Sequence, residues 1–183
     1  MPEASARDVD PVVASARDGD VGAFETLVRT NADAVYAHAL RFFGDRQLAE
    51  DATQEVFLKV FRSLAGFDGR SSFTTWLFRL TRNVCIDMLR RNRRSPMPVD
   101  PLEGAQAVTP DFSDGVLTSE SLERAIATLQ PEDRDALSAV TLFGLSYQDA
   151  AAALGVPVGT VKSRVFRARR LILGLLGLAA KEA

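Results

Sequence analysis

Apolar residues recur every three or four positions over two stretches of this chain and lose that rhythm between them. Phe24, Leu27, Val28, Val35, Ala39 and Phe42 follow one such register, and Val56, Phe57, Val60, Phe61 and Leu64 follow the next. This is the period of helices with one apolar stripe turned to a core. A third helix is expected from about Ser72 to Arg94, with Phe73, Leu77, Leu80, Val84 and Met88 on one side. Further on come Leu122, Ile126 and Leu129, a break at Gln130-Pro131, then Leu137, Val140 and Leu142, and a short helix from near Ser146. Proline lacks the amide a helix interior needs, which is why the pattern breaks at Gln130-Pro131. No run alternates with the period of two that a strand requires.

Four of the eight prolines, Pro96, Pro98, Pro101 and Pro110, fall between Ser95 and Leu117, where no apolar periodicity holds. That stretch reads as a linker. The expected fold is therefore all-α: two small helical bundles at 21–94 and 118–178, joined by a flexible acidic linker at 95–117. Residues 1–20 form an N-terminal extension to which the pattern assigns no role.

Composition narrows the class of protein. With 46% hydrophobic and 25% charged residues the chain is expected to pack rather than stay disordered. Its longest nearly apolar stretch, Leu171 to Ala180, falls short of the ~20 residues that span a bilayer. Asp8, Asp10, Asp18 and Asp20 occupy the place of a signal peptide's apolar run, so a cytoplasmic protein without membrane insertion is expected. One cysteine, Cys85, and one histidine, His38, rule out an internal disulfide and supply too few ligands for structural zinc. No cofactor is expected.

The net charge of −2 hides a sorted distribution. Residues 61–94 hold 8 basic and 2 acidic side chains, 95–135 hold 2 and 9, and 158–170 hold 5 and none. Two basic blocks separated by an acidic stretch suit two nucleic-acid contacts on one chain, since cations neutralise phosphates whatever the sequence. Charge alone would equally describe two solvated helix faces.

The segment from Ser146 to Arg164 has the layout of a helix-turn-helix. Ser146 can cap the first helix, the alanines after it allow close approach, and Gly155 supplies the turn before a helix starting near Val158. At ~100° per residue Val161, Val165, Ala168 and Ile172 share one face, the one to be buried. Thr160, Ser163, Phe166, Arg167 and Arg170 then point outward, flanked by Lys162, Arg164 and Arg169, with no acid among them. An ordinary surface helix mixes in Glu or Asp; this face suits the major groove.

On the Ser72–Arg94 helix, the face opposite Leu77 and Val84 carries Arg79, Arg82, Ile86, Arg90 and Arg93, with Trp76 and Asn83 along its edge. A ring, an amide and a strip of cations are what binding of single-stranded nucleic acid uses. A lone tryptophan at helical spacing more often serves a core than a base platform. The preceding helix turns Asp51, Glu55, Leu58 and Arg62 outward with Gln54 at the edge, which fits a protein docking strip and fits a solvated helix almost as well.

Taken together these residues resemble the extracytoplasmic-function branch of the bacterial sigma factors, over about residues 20–172. Asp51-Ala-Thr-Gln-Glu-Val-Phe57 is similar to that family's polymerase-docking motif. Phe67-Asp-Gly-Arg-Ser-Ser-Phe-Thr-Thr-Trp-Leu77, followed by Arg82-Asn83, resembles its promoter-melting and minus-ten segment. Gly144 to Asp149 and Val158 to Arg169 resemble its minus-thirty-five reader. The resemblance implies a transcription initiation factor of two parts, sigma region 2 and sigma region 4. Asp51, Gln54, Glu55 and Leu58 would dock on core RNA polymerase, through the β′ clamp, with the β subunit also in contact. Phe67, Ser71, Trp76, Arg79, Asn83 and Arg90 would serve the minus-ten DNA, and Thr160, Lys162, Ser163, Arg164, Phe166, Arg167 and Arg170 the minus-thirty-five DNA. An anti-sigma factor is an implied partner.

Two rival readings explain less. A stand-alone regulator with a sensing N-terminal bundle has no use for Arg79, Arg82, Arg90, Arg91, Arg93 and Arg94 so close together. An enzyme would need paired carboxylates, a nucleophile with its base, a metal cluster or a phosphate-cradling loop, and none is legible; His38, between alanines on an apolar helix, reads as structural.

Overall fold

A computed structural model of the protein describes residues 10–94 and 119–177. Among them are eight helices and no strand: α1 (Pro11–Arg17), α2 (Val21–Phe43), α3 (Arg46–Ser63), α4 (Phe73–Arg94), α5 (Ser119–Ala127), α6 (Pro131–Thr141), α7 (Tyr147–Leu154) and α8 (Val158–Leu175). The expected linker lies outside the described residues. No helix among them is long and apolar enough to cross a membrane.

Local chemistry sets the helix ends. Asp20 and Asp45 accept 2.8 Å hydrogen bonds from the backbone N–H of Ala23 and Leu48, capping α2 and α3. Gly44 ends α2 at a positive φ of 66°, a conformation a Cβ would penalise. The break foreseen at Gln130-Pro131 is the start of α6, with the proline in its first turn.

In the first half, Leu27, Val35 and Ala39 of α2, Ala49, Ala52, Val56 and Val60 of α3, and Leu77, Phe78, Val84 and Cys85 of α4 are all buried. The alanines let α3 lie close to its neighbours. In the second half Ala125, Ile126, Ala136, Leu137 and Ala139 pack against Val161, Val165 and Ala168 of α8. Two features depart from the sequence expectation. Residues within the N-terminal extension form α1, which buries Val13 and Ala16 against the first half. Phe61, grouped with the inward stripe of α3, is 67% exposed. It stands ~100° past Val60, which turns it off the packing face, and its ring meets Phe24 edge-on at 5.3 Å instead.

The two halves are not separate bodies. Phe143, just after α6, packs its ring at 5.2 Å from Phe78 of α4 and 6.0 Å from His38 of α2. Around this aromatic junction Arg82 of α4 bonds Asp135 of α6 at 2.6 Å, and Arg134 of α6 donates to the Arg41 carbonyl at the end of α2 at 2.7 Å.

Candidate nucleic-acid and polymerase interfaces

In the helix-turn-helix, Ser146 Oγ accepts from the Asp149 N–H at 3.0 Å and bonds the Asp149 carboxylate at 2.7 Å, fixing the first turn of α7. Gly155 makes the turn at φ 69°, and Pro157 stands at the entrance to α8. The four buried residues of α8 are Val161, Val165, Ala168 and Ile172, the face assigned from the helical period. Lys162, Ser163, Phe166, Arg167, Arg169 and Arg170 are exposed, while Thr160 and Arg164 are half-buried. Phe166, at 65% exposure, turns a large ring to solvent. Arg167 is held by Asp133 of α6 through bonds of 2.8 and 3.2 Å; these keep its guanidinium charged, above its ordinary pKa, and fix its direction. Arginine has five donors, so that fork leaves others for a second acceptor.

In the first half, Ser72 opens α4. Its hydroxyl accepts from the Thr75 N–H at 3.2 Å and shares a 2.8 Å bond with the Thr75 hydroxyl. The preceding loop is pinned by Phe67, which is buried with its ring 5.4 Å from Trp76 and 6.2 Å from Phe73. Trp76 is thus part of an aromatic cluster and half-exposed rather than a free platform. Two open cavities flank the loop. One, about 430 Å³, is lined by Asp10, Thr26, Asn31, Phe67, Ser71 and Thr74. The other, about 460 Å³, is lined by Phe67, Ser71, Trp76, Arg79 and, from α7, Asp149 and Ala152. Asn83 and Arg90 are exposed on α4, the latter 3.9 Å from Asp87.

The arginine strip of α4 is less open than its sequence suggests. Arg79 donates to the Ala152 carbonyl at 2.9 Å, and Arg82 is paired with Asp135, so both reach into the other half. Loss of water and the nearby charges also act on His38, which is buried with no hydrogen-bond partner on either ring nitrogen. Burial, reinforced by Arg41, Arg82 and Arg134 and opposed by Asp135, lowers its pKa to about 4.

On α3, Asp51, Gln54, Leu58 and Phe61 fall at three- and four-residue steps and are all exposed, forming one stripe. Phe61 extends the strip beyond the residues picked from sequence; an apolar residue next to a buried valine carried no signal of its exposure. Glu55 stands apart. Arg91 of α4 holds its carboxylate at 2.9 Å and Lys59 lies 3.5 Å away. Partial burial pushes its pKa up, but the bond and charge of Arg91 and then Lys59 outweigh this and leave it below the ordinary value. Among the described residues no group of His, Cys, Asp and Glu could hold a metal ion.

Comparison with known proteins bears on both halves. Residues 27–95 match the family model described as Sigma-70 region 2, and residues 119–172 match Sigma-70, region 4. The ECF RNA polymerase sigma factor SigE of Mycolicibacterium smegmatis is 37% identical over 165 residues, 87% of this chain and 63% of that protein. The RNA polymerase sigma-H factor of Pseudomonas aeruginosa is 38% identical over 179 residues, 90% of this chain and 92% of that one. Among solved structures, the sigma factor RpoE in complex with the anti-sigma factor NepR from Bartonella quintana aligns with a TM-score of 0.72 at 28% identity, covering 87% of this chain and 100% of its own. CnrH in complex with the cytosolic domain of CnrY aligns at 0.65 and 25% identity, covering 92% of this chain and 97% of its own.

Proposed function

We propose a division of labour for this chain, which belongs to the extracytoplasmic-function branch of the sigma-70 family of RNA polymerase sigma factors. As a sigma factor it binds core RNA polymerase, directs it to promoters and helps open them. The observation that carries the reading is that the two matched regions each contain one of the two basic surfaces. The α3 stripe of Asp51, Gln54, Leu58 and Phe61, with Glu55 beside it, docks on the β′ subunit, and further contact is made with β. The loop bearing Phe67 and Ser71, with Trp76, Arg79, Asn83 and Arg90, takes the minus-ten strand. Its cavities are roomy enough for an unstacked base, and pocket contacts offset the few kcal/mol that unstacking costs. Thr160, Lys162, Ser163, Arg164, Phe166, Arg167 and Arg170 enter the minus-thirty-five major groove. Likeness to two structures solved with a binding partner, one of them the anti-sigma factor NepR, supports control of this chain by an anti-sigma protein. The protein acts in the cytoplasm by binding rather than by catalysis.

Asn83 separates opening from capture. Its amide can pair with a base edge that the duplex hides. Asn83→Ala slows promoter opening about ten- to a hundred-fold, the equivalent of ~1–3 kcal/mol, while closed-complex affinity scarcely moves. Permanganate reactivity of promoter thymines, alongside a gel shift of the cold closed complex, reads both, on a promoter selected from a library by transcription with and without the protein. An equal fall in capture and opening removes Asn83 from the base-reading set.

A further inference from the structure

Away from the seam between the two halves, one ion pair belongs wholly to the helix-turn-helix half. Arg167 Nε donates to Asp133 Oδ2 at 3.2 Å and Arg167 Nη2 to Asp133 Oδ1 at 2.8 Å, so a single carboxylate takes the side edge of the guanidinium. The anchor is rigid. Asp133 lies in the first turn of α6, where the helix dipole favours a negative charge, and its own N–H donates to the Gln130 carbonyl at 3.0 Å. The residue is only 8% exposed. A short buried side chain thus holds a long exposed one, and Arg167 gives up much of the rotamer freedom that a surface arginine keeps.

The engaged atoms decide what is left. The terminal edge of the guanidinium, where Nη1 and Nη2 turn two N–H groups the same way, is not used by Asp133. That edge matches the O6 and N7 acceptors of guanine in a major groove. The pair also carries no net charge. A phosphate approaching it meets a carboxylate beside the cation, so the Coulomb attraction that draws Arg169 and Arg170 to a DNA backbone is largely cancelled at Arg167. Arg167 keeps its directional donors and loses its pull on phosphate.

We propose that Asp133 is a positioning residue for promoter recognition: its side-on grip presents Arg167 to a base edge and withholds it from the phosphates, exchanging overall affinity for discrimination. The inference rests on the sigma-factor reading above and adds to it a residue that lies outside the DNA-facing surface of α8.

The test uses holoenzyme, the full chain with core polymerase, on a promoter selected from a library by transcription and on every single-base variant of its minus-thirty-five element, in the cold closed complex. Arg167→Ala marks the position that Arg167 reads, by losing discrimination there. Asp133→Asn keeps the size and one acceptor but not the charge, and at that same position it lowers discrimination roughly fivefold or more. Its affinity for a mixed-sequence duplex rises about threefold and its salt slope steepens by up to ~0.9, as one more cation becomes available to phosphate. In the Arg167→Ala background Asp133→Asn changes discrimination no further, because Asp133 acts through that one side chain. Glu132→Gln, the same charge change at an exposed neighbour, leaves the base profile as it was. A merely structural Asp133 weakens every promoter variant alike, and that outcome overturns the proposal. So does a further loss of discrimination in the Arg167→Ala background, or an Arg167→Ala variant that loses discrimination nowhere. If Asp133→Asn does not fold by circular dichroism, Arg167→Lys decides: it keeps the charge and can still meet Asp133, but it has no terminal edge. Its discrimination at the marked position then falls with the salt slope unchanged, and a retained base profile overturns the proposal. Wild-type holoenzyme that selects no promoter overturns the sigma-factor reading and this inference together. A selected promoter on which folded Asp133→Asn discriminates as wild type does removes the positioning role alone.

Discussion

Helices α4 and α8 are similarly rich in arginine and use it in opposite ways. On α8 the buried face takes Val161, Val165, Ala168 and Ile172, and the cations at Lys162, Arg169 and Arg170 face solvent. Even the paired Arg167 is held by Asp133 of its own half, which aims it without hiding it. On α4, Arg79 and Arg82 are bound across the seam and Arg91 by Glu55 of α3. A run of cations therefore marks a nucleic-acid surface only where the partners it finds within the fold leave it open to solvent. The acidic stretch that separates the basic blocks in sequence supplies Asp133 and Asp135, and folding brings these two carboxylates to Arg167 and Arg82.

The largest expected effect tests the difference in stability. Arg82→Ala strips a nearly buried carboxylate, Asp135, of its bonded partner and costs about 2–3 kcal/mol, less than a fully buried pair because Arg82 is one-third exposed and Arg134 remains nearby. Arg170→Ala, at an exposed site, stays within ~0.5 kcal/mol. Urea unfolding midpoints of both variants read the contrast, and equal losses would erase it.

Next comes specificity on the α8 side. Arg167→Ala costs about 1–3 kcal/mol of discrimination at one minus-thirty-five position if the aimed guanidinium reads a base edge, while Arg170→Gln weakens all sequences alike and lowers the salt slope by ~0.9. Competition between single-base promoter variants for the holoenzyme, at several salt concentrations, distinguishes them. A uniform loss for Arg167→Ala assigns it to phosphate.

The smallest effect is a pH dependence confined to the seam. His38 has a pKa near 4 when buried there and the ordinary 6.5 once exposed. Above pH 6.5 it is neutral in both states and stability is unaffected. As pH falls from 6.5 toward 4 the unfolded chain binds the proton first, so stability declines, by about 1.4 kcal/mol between pH 7.5 and 5.5. Carboxylates contribute equally to wild type and His38→Leu, so the difference between their unfolding curves isolates the histidine. Identical pH slopes would remove His38 from this role.

Much of each half was legible in advance. The cap at Ser146, the turn at Gly155, the break at Pro131 and the buried face of α8 all follow from interactions among residues a few positions apart, which a helical period reports directly. Helix α1 was missed because seven residues with Val13 and Ala16 as their buried contacts are too short for a period to show. Phe61 was misplaced because the stripe of α3 has an edge, and which flank a bordering phenylalanine takes depends on the helix beside it.

Helical spacing, capping and charge order are local properties, so the order of residues sufficed for an all-helical chain of two bundles, each with a basic helix and a recognisable motif. Which of those charges stay open to solvent follows from the packing of distant segments. Arg82 and Asp135 stand 53 residues apart, and His38 meets Phe143 from a different bundle. Pairs so distant form only when two complete hydrophobic faces have found each other, and burial at that junction, not residue type, sets whether an arginine meets DNA, a carboxylate or water.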